Sequence, residues 1–92
     1  MQIQPIEVYS DATNQVVIRH PGRRFPGLLL QGDSLYSLCA RADALCTKLK
    51  PGDPAYGDAS QLRNALWAGL NHYKSVLSAH GIGLPFSEQP PV

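Results

Sequence analysis

The chain has 92 residues, 43% of them hydrophobic and 16% charged, with a formal net charge of +1. That length points to one domain with a small core, and the composition suggests neither a disordered nor a fibrous chain. The balanced charge argues against a dedicated nucleic-acid binder. No run approaches the roughly 18 apolar residues of a membrane span, and the N-terminal Met-Gln-Ile-Gln-Pro-Ile-Glu lacks the basic and apolar regions of a signal peptide, so the chain reads as cytoplasmic.

Ile3, Ile6 and Val8, then Val16, Val17 and Ile18, flank the polar cluster Ser10-Asp11-Ala12-Thr13-Asn14. Two β-branched runs around a turn-forming stretch predict a hairpin, with Ile6 and Val8 facing inward and Glu7 and Tyr9 outward. The second strand ends at Arg19-His20, before Pro21 removes a backbone donor. Pro21-Gly22 and Pro26-Gly27 punctuate a loop, and Leu28-Leu29-Leu30-Gln31 is too short for a helix before Gly32, so it reads as a third strand.

Gly32 permits a sharp turn, and Asp33 or Ser34 is suited to accept a hydrogen bond from the first turn of a helix. Leu35, Leu38, Ala42, Leu45 and Leu49 recur at spacings of three and four and predict one apolar face to about Lys50, with Arg41, Asp43, Thr47 and Lys48 elsewhere. Pro51-Gly52-Asp53-Pro54 breaks this helix. A second, capped by Asp58 or Ser60, carries the stripe Leu62, Leu66, Gly69, Leu70, Tyr73, Val76 and Leu77 and ends at Gly81, a left-handed cap. Ile82, Leu84 and Phe86 form a short extended tail expected to dock back, and Pro90-Pro91-Val92 reads as frayed.

The fold class is therefore α+β: a small three-stranded antiparallel sheet packed by a C-terminal antiparallel two-helix hairpin. Residues 1–31 are the β part, 33–81 the hairpin and 82–92 the tail of a single domain. The expected core is Ile6, Val8, Val17, Leu28, Leu30, Leu35, Leu38, Leu45, Leu49, Leu62, Leu66, Leu70, Tyr73 and Leu77. Trp67 reads as core as well.

Motifs for chemistry are sparse. Cys39 and Cys46 stand seven residues apart on one predicted helix, which separates their Cα atoms by about 10 Å, beyond disulfide reach, so both read as free thiols. Gly32-Asp33-Ser34-Leu35 looks like the signature of the GDSL esterases. Their acid-to-histidine motif is missing, however, because no aspartate has a histidine three residues later. Gly32, Asp33 and Ser34 are read instead as a structural helix cap. His20, His72 and His80 have no metal-ligand spacing, and the glycines match no nucleotide-binding pattern. No catalytic residue, metal or cofactor is expected, and the chain reads as no enzyme.

Arg19, His20, Arg23, Arg24 and Phe25 form a local basic cluster with an aromatic beside it. Such a cluster can contact phosphate or an acidic protein surface. Arg19, Arg23, Arg24 and Tyr56, with Phe25 beside them, are the partner-binding candidates, because recognition residues concentrate on loops and arginine and tyrosine suit interface anchors.

Pro21-Gly22-Arg23-Arg24-Phe25-Pro26-Gly27 together with Gln31-Gly32-Asp33-Ser34-Leu35 resembles a family of small uncharacterised bacterial proteins of about this length. The resemblance implies a protein similar to the immunity proteins that bind and silence secreted polymorphic toxins. Its implied partner is a cognate toxin domain, bound stoichiometrically by a chain that is alone a monomer or weak dimer. A small interaction or regulatory module is the second reading, and nucleic-acid binding the third.

Overall fold

The β-branched and aromatic residues near the N-terminus form β1 (Glu7–Ser10) and β2 (Val16–Arg19), and Gly27–Leu29 adds β3. The two periodic segments form α1 (Gly32–Lys48) and α2 (Tyr56–Ala79). This α+β architecture is that of a computed structural model, which describes residues 1–87; Pro90-Pro91-Val92 lies outside the described residues. The chain divides between Gln31 and Gly32 into two compact units.

In the first unit β2 is central, antiparallel to β1 on one side and to β3 on the other. Val8 stands opposite Ile18 and Ser10 opposite Val17, so Tyr9 is an extra residue that bulges β1. On the other side Val16, Val17 and Ile18 face Leu29, Leu28 and Gly27. The turn before β2 is tied by Thr13, whose Oγ1 accepts the Gln15 amide at 3.2 Å. The third strand is displaced from its expected place, beginning at Gly27 and ending before Leu30.

The expected inward face of the sheet needs correction. Ile6, Val8 and Leu28 are exposed, Leu28 by 64%, while Val16 to Arg19 are half-buried. The reason is position in the ladder: β2 has a neighbour on each side, whereas β1 and β3 are edges with a neighbour on one side only. A bulge in β1 and a glycine in β3 remove further cross-strand cover.

In the second unit α1 and α2 pack on each other. The buried residues of α1 are Gly32, Cys39, Ala42 and Cys46, and those of α2 are Ala59 and Leu70. Both cysteines are free thiols, as their spacing requires. Small side chains thus occupy the centre of the α1 seam. The buried stripe is rotated by roughly 60° from the leucine stripe, taking 3.6 residues per turn. Leu35, Leu49, Leu66, Tyr73 and Leu77 are half-buried flanks, while Leu38, Leu45 and Leu62 are exposed. The same rotation brings Asp43, expected on the outer face, to a half-buried position, where it accepts the Trp67 indole N–H at 2.9 Å.

The helix ends follow from local chemistry. After α1 the Asp53 amide donates to the Lys50 carbonyl at 2.8 Å, and the Lys50 amide donates back to Asp53 Oδ2 at 2.8 Å, closing the turn over Pro51-Gly52. α2 begins earlier than its expected Asp58 or Ser60 cap. Ala55 is the N-cap, without a side-chain cap bond, and Asp58 lies inside the first turn, where a carboxylate suits the positive end of the dipole.

At the far end Gly81 has φ +66°, its amide donates to Ser78 at 3.2 Å, and the Ile82 amide donates to Leu77 at 2.9 Å. This paired reverse bonding is a Schellman ending, which needs the left-handed glycine. The tail then returns: the Phe86 ring stacks on Tyr36 with centroids 4.4 Å apart. No helix among the described residues is long and apolar enough to cross a membrane.

Candidate functional site

In the first unit the basic and aromatic candidates Arg23, Arg24 and Phe25 lie on the connection between β2 and β3. Its first turn is built by Pro21-Gly22: the Arg23 amide donates to the His20 carbonyl at 3.0 Å, and Gly22 has φ +85°. Proline at the first central position and a positive-φ glycine at the second define a type II turn. Arg23, Arg24 and Phe25 follow on the exposed loop. The Arg24 guanidinium carbon lies 5.3 Å from the Phe25 ring centroid, a cation–π arrangement, and Phe25 is 72% exposed.

Arg19 is placed differently from the loop position expected of it. It is the last residue of β2, directly opposite Glu7 of β1, and its Nη2 is ion-paired with Glu7 Oε1. Tyr9 donates its hydroxyl to Glu7 Oε2 at 2.6 Å, completing a surface triad. These bonds to its charged form, from Tyr9 first and then Arg19, hold the Glu7 carboxyl below its ordinary pKa. The same contact raises the Tyr9 phenol and the Arg19 guanidinium. Arg19 is thus already partnered, whereas Arg23 and Arg24 have no ion pair among the described residues.

A hollow of about 290 Å³ opens beside the loop, lined by Ile18, His20, Arg23, Phe25, Gly27 and Leu28. Its origin is in the strand register. Gly27 stands opposite Ile18, and a Cβ built on Gly27 would meet nothing within 4 Å. Ile18 therefore has Val8 opposite it on the β1 side but no side chain opposite it on the β3 side. Ile18, Gly27 and Leu28 are not among the candidates read from the sequence: Gly27 and Leu28 follow Phe25 in the chain, but only the register brings Ile18 beside them. The signal for Glu7 was its opposite charge to Arg19 across a predicted hairpin.

Tyr56 belongs to the second unit. It is not on a loop but is the first residue of α2, half-buried, with its amide donating to Asp53 at 3.0 Å. Gly32, Asp33 and Ser34 form the first turn of α1, and Asp33 Oδ1 accepts the Ser34 amide at 2.8 Å. The close constraint is at Gly32, which is buried: a Cβ there would collide with the Tyr73 ring. Its φ is not positive, so it serves close approach rather than the sharp turn expected of it.

Ser34 is half-buried, and no histidine side chain hydrogen-bonds to it among the described residues. Nor do the described residues place three or more His, Cys, Asp or Glu together as a metal site. Burial, with Asp43 nearby, pushes the Cys39 thiol pKa up, which disfavours the nucleophilic thiolate.

The family described as "Family of unknown function (DUF6959)" matches residues 1–86, and the chain belongs to that family. No curated protein and no solved structure matches the chain.

Proposed function

For this member of the family we propose stoichiometric binding of one protein partner, a cognate toxin domain that the chain neutralises as an immunity protein. The observation that carries the protein-binding part is the exposed Phe25 under Arg24, beside an apolar hollow and Arg23, which has no ion pair among the described residues. Arginine and aromatic residues are enriched among interface anchors. The toxin part rests on the resemblance of the Pro-Gly-Arg-Arg-Phe-Pro-Gly and Gln-Gly-Asp-Ser-Leu segments.

Occlusion of a toxin needs no cofactor or bond-making group, and a chain of 92 residues has enough surface for a partner footprint of about 800 Å². The test is co-expression with the toxin domain encoded beside this chain, in cells that the toxin alone kills. Rescue of growth with co-purification supports the reading, and death with no co-purification overturns it. Nucleic-acid binding uses the same arginines and is separated by its steep salt dependence.

A further inference from the structure

We infer that the hollow beside Phe25 is the recognition pocket of the first unit and takes one large apolar side chain of the partner, presented between carboxylates. This rests on the protein-binding reading and adds to it the place and the partner's chemistry. At about 290 Å³ the hollow is at the lower limit for a small-molecule site and suits a single side chain. Among its lining residues Ile18, Phe25 and Leu28 are apolar, and it is open on the β3 side of Ile18, where Gly27 offers no side chain.

Charge supplies the rest of the specificity. From Ala12 to Gly32 the chain has three arginines and a histidine and no Asp or Glu. Across the sheet the Glu7 carboxylate of β1 is held by Arg19 and Tyr9. Arg23 lines the hollow and Arg24 lies over the Phe25 ring, so an entering side chain meets apolar groups with two guanidinium cations beside them. Complementarity requires a partner surface with an aromatic or leucine knob flanked by Asp or Glu. A basic surface with the same knob would be repelled, which is how charge at an interface selects against wrong partners.

Gly27 provides a test that removes no binding group. Its backbone suits any residue and its Cβ direction is empty, so Gly27→Phe fills the hollow while adding a residue that strands favour. The probes are the blocked peptides Glu-Asp-Trp-Glu-Asp, Lys-Arg-Trp-Lys-Arg and Ser-Ser-Trp-Ser-Ser and a single-stranded oligothymidine, titrated into the 15N-labelled full chain. The expected result is that the acidic peptide alone shifts the Ile18, Gly27 and Leu28 amides. Its affinity should fall at least about tenfold in Gly27→Phe and in Arg23→Glu, each with the wild-type spectrum elsewhere.

Equal binding of the neutral peptide, tighter binding of the oligonucleotide, unchanged binding by Gly27→Phe, or no shift with any probe overturns the pocket. The toxin assay keeps the two readings apart. Rescue by wild type and equally by Gly27→Phe leaves the immunity reading standing and sinks this pocket. Failure of wild type to rescue, with acidic-peptide binding intact, sinks the immunity reading alone.

Discussion

The Trp67 indole N–H donates to Asp43 Oδ1 at 2.9 Å, linking α2 to α1 across a separation of 24 residues in sequence. Both groups are half-buried, so the bond is partly shielded from water and fixes the rotation of one helix against the other. Asp43→Ala should destabilise the fold by about 1–2 kcal/mol, toward the lower part of the range for a bond to a charged group. A double-mutant cycle with Trp67→Phe should give a coupling near 1 kcal/mol in urea unfolding. Additive effects would show that the bond does not hold the helices together.

Leu70 is wholly buried and Leu62 is 56% exposed, although both lie on the apolar stripe read from sequence. Leu70→Ala should cost about 2–5 kcal/mol, and Leu62→Ala should stay within about 0.5 kcal/mol. Equal losses on denaturant unfolding would mean that α2 turns the other flank to its partner helix.

Gly32→Ala has opposite signs in two backgrounds. In the wild type the new methyl must displace the Tyr73 ring, an overpacking cost of about 1–3 kcal/mol that exceeds the gain in helix propensity. With Tyr73→Ala the collision is gone, and the same substitution should stabilise by up to about 1 kcal/mol. Thermal unfolding of the wild type and the three variants reads this directly. A neutral effect in both backgrounds would place the ring elsewhere.

Glu7 and Tyr9 make the hairpin sensitive at both ends of the pH scale. The folded Glu7 pKa is lowered, so its contribution is present above its unfolded value, about 4.3, and is lost as pH falls through the folded value. The Tyr9 pKa is raised, so its contribution is present below about 10 and is lost as pH rises through the folded value. A carbon-detected titration should show the Glu7 carboxyl moving back toward its ordinary value in Tyr9→Phe. No movement would remove Tyr9 as the leading cause.

Secondary structure was legible because it is written in local chemistry. Pro21-Gly22 could only turn, Gly81 could only end a helix, and the β-branched runs around Ser10–Asn14 could only pair. Packing was less legible. The leucines of α1 mark an apolar side, but the seam follows Gly32, Cys39, Ala42 and Cys46, whose small size permits close approach; hydrophobicity alone ranks Leu38 and Leu45 above them. Nothing in the spacing of Asp43 and Trp67 pairs a carboxylate with an indole on another helix. At the candidate site the arginines and Phe25 stood out, whereas the hollow depends on Gly27 lying opposite Ile18, a register that composition does not encode.

Calorimetric titration of the chain with a purified toxin domain of the kind proposed as its partner, at about 0.05 and 0.2 M salt, tests protein binding through the basic loop most directly. The account predicts one-to-one binding that weakens only modestly with salt and falls at least about tenfold, or about 1.4 kcal/mol, in Arg23→Glu and Arg24→Glu. The absence of heat with the toxin domain, together with binding to RNA or DNA that falls steeply with salt, would contradict it.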